Sequence, residues 1–240
     1  MELEIIYLKN WLKCIKRDPE NIFHHVVKGL WFYSAWAKSV NSGRDSFLDS
    51  VPWITYEAYH FIESVLKPDM VLFEYGSGGS TLFYATRVKK VVSIEHDEAW
   101  FEDVKAAIAK VDIDNCECSL ITPEPDNQCS SGSNDPLTYR SIDVRYNGFN
   151  FAKYVKSIDH YPNQNFDFVC VDGRARLACV RQAISKVKLD GYLMLDNSNR
   201  DQYRGAKYLL HDWEKTEFFG PGPYNTYFWE TTFWKRTCTS

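Results

Sequence analysis

Three glycines within four positions, directly after a short apolar run, constrain the fold of this chain more than any other feature. Residues 71–73 are apolar, Glu74 and Tyr75 follow, and glycine then occupies positions 76, 78 and 79. Glycine adopts positive φ at little cost and has no Cβ, so such a turn bends sharply and lets a ligand approach its backbone. Residues 81–88 then predict a helix whose free N–H groups point back at the turn. The order strand, glycine turn, helix indicates an α/β unit with a ligand at the turn.

A second apolar run ends in an acid shortly afterwards. Residues 91–94 predict the next strand, and Glu95 and His96 follow it directly. In a parallel α/β sheet, ligands lie at the carboxyl ends of the strands, where the strand order reverses. A carboxylate at the end of the second strand suits the two hydroxyls of a ribose. The two segments together predict a nucleoside-containing cofactor.

The residues in and around the glycine turn distinguish between cofactors. A dinucleotide site requires G-x-G-x-x-G, and Thr81 stands where the third glycine would be. Glu74, two residues before Gly76, gives Glu-x-Gly-x-Gly, which resembles motif I of the class I S-adenosylmethionine (SAM) methyltransferases. In that family the early acid lies near the cationic amino acid end of SAM, directly or through water. A nicotinamide-dependent dehydrogenase is the alternative that this turn disfavours.

The resemblance implies a set of residues around SAM. Two of them precede the first strand and would close over the methionine end, and the others belong to the turn and to the ends of the second and fourth strands. The set comprises Trp53, Thr55, Glu74, Tyr75, Gly76, Ser77, Gly78, Ser80, Thr81, Glu95, His96 and Asp172.

Length and composition fit one such domain with an addition. The 240 residues divide into an N-terminal helical extension, 1–50, and a methyltransferase domain, 51–240. No run approaches the roughly 18 apolar residues of a membrane span, and acids near the N-terminus argue against a secretory signal. We therefore expect a cytoplasmic protein with no membrane partner. The net charge of −4 argues against nucleic acid, and the seven cysteines show no metal-ligand spacing.

Two amphipathic segments, residues 2–16 and 21–40, precede the sheet. The second is rich in aromatic residues, and aromatic side chains at helical spacing usually belong to a core. We expect both helices to pack on the domain. Two alternatives stay open, in which the helices roof an acceptor pocket or form the face of a homodimer.

The remainder completes the sheet. Residues 117–121, 166–171 and 191–195 predict three more strands, and 218–234 predict a hairpin around a Gly-Pro-Gly-Pro turn. Helices are expected over 100–110, 177–187 and 204–215. The irregular stretch 122–150 is interpreted as a lid or binding loop, with a disordered segment as the alternative. The resemblance implies an α/β Rossmann-like fold with a seven-stranded sheet, parallel except for a C-terminal antiparallel hairpin, plus N-terminal helices.

Oxygen-bearing side chains follow two adjacent strands. Asp172 ends the strand 166–171, and Asp196 and Asn197 end the next one. Carboxylate and amide oxygens suit Mg²⁺, Mn²⁺ or Ca²⁺. The arrangement is similar to the metal-dependent catechol and caffeoyl-CoA O-methyltransferases, and that similarity implies that Asp172, Asp196 and Asn197 bind Mg²⁺ or Mn²⁺. The alternative is that Asp172 is a general base or an acceptor ligand without a metal.

Two further side chains are candidates for a role in catalysis. Arg174 and Arg176 follow Asp172 where those families have other residues, and they indicate an anionic acceptor or an ion pair that holds Asp172. Arg174 and His211 join Asp172 as catalytic candidates, with a merely solvated or core histidine as the alternative for His211.

The function that these observations favour is SAM-dependent O-methylation. The acceptor would be a hydroxyl of a sugar, a glycan or a small polar metabolite, assisted by Asp172 and the metal. An N-methyltransferase acting on an amine or peptide would share the SAM site without needing a metal. A non-catalytic partner subunit with the same fold is the third interpretation, which the intact glycine turn and Glu95 disfavour.

Overall fold

The computed structural model of the protein describes residues 2–126 and 138–237. The helices are α1 (Glu2–Arg17), α2 (Ile22–Asn41), α3 (Ser46–Asp49), α4 (Tyr56–Val65), α5 (Gly79–Ala85), α6 (Glu98–Lys110), α7 (Ala152–Lys156), α8 (Arg176–Ala183) and α9 (Gly205–Leu209). The strands are β1 (Val71–Tyr75), β2 (Lys90–Glu95), β3 (Cys116–Leu120), β4 (Glu124–Pro125), β5 (Phe149–Asn150), β6 (Phe166–Val171), β7 (Val187–Asp196), β8 (Glu214–Gly220) and β9 (Trp229–Lys235). Among these helices, none combines the length and the apolar character that crossing a membrane would require.

Seven strands form one sheet in the order β3-β2-β1-β6-β7-β9-β8. The pairs from β3 to β7 are parallel, whereas β9 runs antiparallel to both β7 and β8. The chain moves outward from β1 through β2 to β3 and then returns to the other side of β1 with β6. The strand order therefore reverses beside β1, and the crevice at its carboxyl end is the place where such sheets bind ligands. The predicted fold class is confirmed.

Helices cover both faces of the sheet. Phe73 and Val169 point to one face and pack in a buried cluster with residues of α7, α8 and α9. Their neighbours Leu72 and Phe168 point to the opposite face and pack with residues of α4 and α5. Because both faces are buried at the centre of the sheet, five of the six residues of β6 are apolar. The polar groups that remain near the sheet are concentrated at the carboxyl ends of the strands.

The N-terminal helices pack on the last two strands and on the turn that joins them. Tyr7 and Trp36 are buried with Phe228 between α1, α2 and this turn. The indole Nε1 of Trp36 donates a hydrogen bond to the carbonyl oxygen of Asn225 at 2.7 Å. Packing on the domain, the interpretation that we favoured, is what the structure shows. The homodimer remains a prediction.

Two predicted helix boundaries are wrong, and tertiary pairing explains both. The helix predicted over 177–187 ends at Ala183, because Val187 pairs with Phe166 and begins β7. The helix predicted to reach residue 215 ends at Leu209, because Glu214 pairs with Lys235 at the start of β8. In both segments, sheet pairing overrides a local preference that is weak by itself.

The irregular stretch 122–150 is only partly described. Its ends come together where β4 pairs antiparallel with β5. Residues 127–137, which belong to the predicted lid, lie outside the described residues.

Candidate active site

The ends of β1 and β6 touch at the glycine turn. Gly76 has φ of +94°, a conformation that favours glycine. A Cβ on Gly76 would lie 2.7 Å from the Cα of Gly173. The backbone N–H of Asp172 donates to the carbonyl oxygen of Tyr75 at 3.1 Å. The two strand ends can approach this closely only because both residues, 76 and 173, lack a side chain.

The side chain of Glu74 lies inside the protein, beneath the glycine turn. Its fully buried carboxylate accepts hydrogen bonds from the hydroxyls of Ser80, Thr81 and Ser93. The same Thr81 hydroxyl accepts a hydrogen bond from the N–H of Gly78 at 2.9 Å. Burial raises the pKa of Glu74 to about 7 against the lowering effect of these three donors. Glu74 therefore connects the turn to β1 and β2 and does not face the ligand crevice, which differs from the position that the family resemblance implied.

The side chain of Glu95 contacts the glycine turn from the end of β2. Its carboxylate accepts from the N–H and the hydroxyl of Ser77 at 2.9 and 3.0 Å. It also accepts from the N–H groups of His96 and Asp97 at 2.7 and 2.9 Å. Burial opposes ionisation of Glu95, but the hydrogen bonds from His96 and Asp97 outweigh it and lower the pKa. Glu95 is thus an anchored carboxylate at the end of β2, as predicted.

A cavity of about 590 Å³ opens above these strand ends, and we call it the large cavity. Its size is within the roughly 300–1,000 Å³ of small-molecule sites. Residues predicted for the cofactor that line it are Trp53, Gly76, Ser77, Gly78, Ser80, Glu95, His96 and Asp172. Close backbone approach at two glycines and one anchored carboxylate are features that a nucleoside ligand requires. The residues present therefore fit SAM.

Four of the predicted cofactor residues lie outside the lining of this cavity: Thr55, Glu74, Tyr75 and Thr81. The Tyr75 hydroxyl donates to the carbonyl oxygen of Val155 at 2.6 Å on the far side of β1. Thr55 is buried, and its hydroxyl donates to the carbonyl oxygen of Phe218. Together with Thr81, these side chains support the site from within the protein and do not contact the cavity.

The three predicted metal ligands all line the large cavity, but a guanidinium lies among them. Arg176 Nη2 is 2.8 Å from Asp172 Oδ1. Arg176 Nη1 donates to the backbone oxygen of Asp196 at 2.6 Å. The side chain of Arg176 is almost fully buried, so this cation is part of the folded structure.

The carboxylate of Asp196 is already occupied by protein donors. Its Oδ1 accepts from Trp229 Nε1 at 2.9 Å and from Thr231 Oγ1 at 2.6 Å. Its Oδ2 accepts from the amide of Asn197 at 2.7 Å. The lone pairs that would bind Mg²⁺ or Mn²⁺ face N–H and O–H groups, and the described residues contain no group of three His, Cys, Asp or Glu side chains with metal-site geometry. The predicted metal site is therefore not supported, and the donor set fits an internal cation instead.

Both carboxyl groups have raised pKa values. Burial raises the pKa of Asp172, and the positive charges of Arg176, Arg174 and Arg200 oppose it. Burial and the neighbouring Asp172 raise the pKa of Asp196 to about 7. Of the two carboxylates, Asp172 is the more accessible, with 31% of its side chain exposed against 4% for Asp196. Asp172 is the group that can exchange a proton with a molecule in the cavity.

The two other catalytic candidates lie in different places. Arg174 lines the large cavity, and its Nη2 lies 3.4 Å from the carboxylate of Asp143. His211 is exposed near the end of α9, and its Nδ1 contacts the carbonyl oxygen of Tyr208 at 3.0 Å. His211 is not among the residues that line the large cavity, so the structure brings Arg174 to the site and leaves His211 outside it.

Sequence reasoning missed part of the cavity wall. Ser46, from the N-terminal extension, and Arg200, which follows β7, both line the large cavity. So do Asn225, Tyr227 and Trp229, which come from the turn between β8 and β9 and from the first residue of β9. No local signal marks these residues, because only the return of the last two strands beside β7 brings the turn to this end of the sheet.

Comparisons with known proteins support the fold. Neither a protein-family model nor a curated protein matches the chain. Among solved structures, an O-methyltransferase from Bacillus cereus in complex with SAH is similar at a TM-score of 0.58, with 15% identity over 83% of this chain and 94% of that one. An rRNA methylase from Streptococcus thermophilus is similar at a TM-score of 0.51, with 13% identity over 76% of this chain and 95% of that one. At these identities the likeness shows the fold, and the chain has the fold of the class I SAM-dependent methyltransferases.

Proposed function

We propose that this protein is a SAM-dependent methyltransferase that transfers a methyl group to a hydroxyl of a sugar, a glycan or a small polar metabolite, without a divalent metal. One observation carries the proposal. The glycine turn after β1, the anchored Glu95 after β2 and the accessible Asp172 after β6 converge on the large cavity at the point where the strand order reverses.

The residues that would hold SAM lie on one side of this cavity. The backbone of residues 76–78 can approach the ligand closely. Both oxygens of Glu95 are already used by four protein donors, so Glu95 would accept a hydrogen bond from a ribose hydroxyl in exchange for one of them. Trp53 is partly exposed in the wall, and its Nε1 is fixed by the carbonyl oxygen of Pro223 at 2.9 Å. Trp100 closes the other edge and donates to the carbonyl oxygen of Ser77 at 2.7 Å. SAM, when bound, supplies a methyl group activated by a sulfonium.

Asp172 is the residue that would take the proton from the acceptor. An alcohol is a weak nucleophile unless a base removes its proton as the new bond forms, and a carboxylate with a raised pKa is a better base than an ordinary one. Burial raises the pKa of Asp172, and Arg176 at 2.8 Å fixes one of its two oxygens. The other oxygen is left to receive the hydroxyl proton, so Arg176 acts as a positioning residue for the base.

Calorimetric titration with S-adenosylhomocysteine (SAH), the demethylated product, tests the cofactor class. We expect micromolar binding to the purified protein, at least tenfold weaker binding to Glu95→Gln, and no binding of NAD⁺. Glu98→Gln is the matched control, because Glu98 is an exposed acid on the adjacent helix α6 that does not line the large cavity.

The outcomes separate the alternatives. Binding of NAD⁺ without SAH would replace the proposal with a dehydrogenase. SAH binding with no transfer to any acceptor from a panel of alcohols and amines would favour the non-catalytic partner subunit. Transfer to amines alone would favour the N-methyltransferase.

A further inference from the structure

A second cavity adjoins the first, and we call it the basic cavity. Its volume is about 190 Å³. Four arginines line it, Arg140, Arg174, Arg176 and Arg200, against a single acidic residue, Asp143. The large cavity, by contrast, is lined by four acids and four arginines. Three of these arginines line both cavities, so the excess of positive charge belongs to the lining of the smaller space and not to the two spaces taken together.

Internal ion pairs account for only part of this charge. The guanidinium of Arg176 forms an ion pair with Asp172 and donates a hydrogen bond to the backbone oxygen of Asp196. Arg174 has a long contact with Asp143, at 3.4 Å, and that carboxylate is already engaged by Arg145 at 2.6 Å. Within the described residues, Arg174 thus has only this long contact and Arg200 has no ion pair, although both also act on Asp172 electrostatically.

Hydrogen-bond donors are also left over. The Nε atoms of Arg140 and Arg174 are buried and have no hydrogen-bond partner among the described residues. A buried N–H of a guanidinium costs free energy unless an acceptor faces it. Arg140 is otherwise held by Asp126 at 3.3 Å, so its guanidinium is fixed in place while this donor stays unused. Fixed guanidinium donors around a small space are the arrangement that binds carboxylate or phosphate.

The position of the basic cavity separates it from the SAM site. It shares Gly173, Arg174, Arg176 and Arg200 with the large cavity, so the two spaces are adjacent. None of the glycine-turn residues 76–80 lines it, and neither does Glu95. Its volume is about six times the ~30 Å³ that one water molecule occupies in the liquid, enough for an acid group and a few attached atoms.

We infer that the methyl acceptor is an anionic molecule, and that its carboxylate or phosphate group binds in the basic cavity to Arg140, Arg174 and Arg200 while its hydroxyl lies at Asp172. The inference rests on the proposed function, whose acceptor class it narrows. It also assigns different roles to the two arginines that follow Asp172. Arg176 fixes the base, whereas Arg174 binds the acceptor.

Anion binding to the whole protein tests this inference without knowledge of the acceptor. Inorganic phosphate and acetate are titrated by calorimetry, with and without SAH, at a fixed ionic strength of about 0.15 M so that screening stays constant. Glucose is the uncharged control probe. We expect saturable binding of phosphate, of acetate or of both, and none of glucose. The stronger anion identifies the acceptor as phosphorylated or carboxylic.

Three variants locate the binding. Arg174→Gln and Arg200→Gln should each weaken anion binding by about tenfold, and Arg200→Lys should recover part of the loss. Arg204→Gln is the matched control, since Arg204 is exposed, pairs only with Asp201 among the described residues and lines neither cavity. Arg204→Gln should bind SAH like the original protein, whereas in the Arg174 and Arg200 variants, which also line the large cavity, the loss of anion affinity should clearly exceed any loss of SAH affinity.

The possible results are distinguishable. No saturable anion binding, or equal binding by the Arg174, Arg200 and Arg204 variants, would overturn the inference while normal SAH binding leaves the proposed function standing. A loss of SAH affinity in the Arg200 variant as large as its loss of anion affinity would instead assign the cavity to the cofactor's own carboxylate and would also overturn it. Anion binding that depends on Arg174 and Arg200 without any SAH binding would overturn the proposed function and retain an oxyanion site.

Discussion

The guanidinium of Arg176 lies 2.8 Å from the carboxylate of Asp172, four residues earlier in the chain, across the start of helix α8. The same guanidinium donates to the backbone of the neighbouring strand end at Asp196. One buried cation therefore joins the ends of β6 and β7, in the place where the sequence predicted a divalent metal. Its charge is permanent, because an arginine side chain does not lose its proton in a protein.

Replacing this cation should destabilise the protein. In Arg176→Met, the buried carboxylate of Asp196 and the partly exposed carboxylate of Asp172 would lose their nearest positive partner. Breaking a buried ion pair on one side costs about 3–5 kcal/mol, and we expect a loss of this size in the free energy of unfolding, measured with urea. Arg181→Met on the exposed face of the same helix should change it by less than about 0.5 kcal/mol. Equal losses of unfolding free energy in Arg176→Met and Arg181→Met would show that the charge of Arg176 does not stabilise the protein.

Removal of divalent metals should have no effect. Since Arg176 and the donors around Asp196 already satisfy the carboxylates, neither EDTA nor added Mg²⁺ or Mn²⁺ should change SAH affinity or the unfolding midpoint. Calorimetry and thermal melts on EDTA-treated and metal-supplemented protein give the comparison. A shift of the melting temperature that one metal causes at micromolar concentration would restore the metal site that the sequence predicted.

Loss of the proposed base should slow transfer and leave cofactor affinity unchanged. We expect Asp172→Asn to reduce the rate by about 10²–10⁴-fold, the usual contribution of a general base. In the original protein the rate should fall as pH is lowered through the raised pKa of Asp172, and this decline should vanish in the variant. The readout is label transfer from SAM to a panel of hydroxy acids and sugar phosphates, with SAH calorimetry as the control. Equal loss of SAH affinity and of rate would contradict a role as the base.

Glu74 should make stability depend on pH near neutrality. Its pKa is raised from 4.5 to about 7 in the folded protein, so between these values the folded state holds a proton that the unfolded state has released. Stability then falls as pH rises toward 7, by at most about 1.4 kcal/mol per pH unit, and levels off above it. Glu74→Gln mimics the protonated form and should show a smaller decline in urea unfolding at pH 5 to 8, because only the contributions of Asp196 and Asp172 remain. Glu102→Gln, at an exposed acid of α6, should retain it.

Two glycine variants distinguish the effect of the close contact between Gly76 and Gly173 from the cost that positive φ imposes on a residue with a side chain. Gly76→Ala places a Cβ 2.7 Å from the Cα of Gly173, whereas Gly43→Ala has the same unfavourable sign of φ with nothing within 4 Å. We expect a loss of stability of about 1–3 kcal/mol at residue 43 and a larger one at residue 76. SAH binding should be lost only in Gly76→Ala. Similar behaviour of the two variants would mean that the ends of β1 and β6 can separate without harm.

Most of the fold could be predicted because its signals are local. The strands β1, β2 and β6 are short, mainly apolar runs with an acidic residue at or near their carboxyl ends, and the glycines after β1 fix where the crevice forms. The boundaries that failed, around Val187 and Glu214, depend on pairing with residues 21 positions or more away. No pattern within the segment itself contains that information.

The site was predictable only in part, for a similar reason. Glu95 and Asp172 follow directly from their positions at strand ends. The inward direction of Glu74 depends on hydroxyls from α5 and β2, and the partnership of Arg176 with two strand ends depends on how α8 leaves β6. The basic cavity combines Arg140, from the region after residue 137, with Arg200 after β7, and only the folded chain brings the two together.

The hydrogen bond from Trp36 to Asn225 ties the N-terminal helices to the wall of the large cavity. Asn225 belongs to the cavity wall, and the helix that braces it carries exposed apolar residues such as Phe23 and Trp31 on its outer surface. The shape of this wall therefore depends on two helices that lie outside the sheet and precede it in the chain.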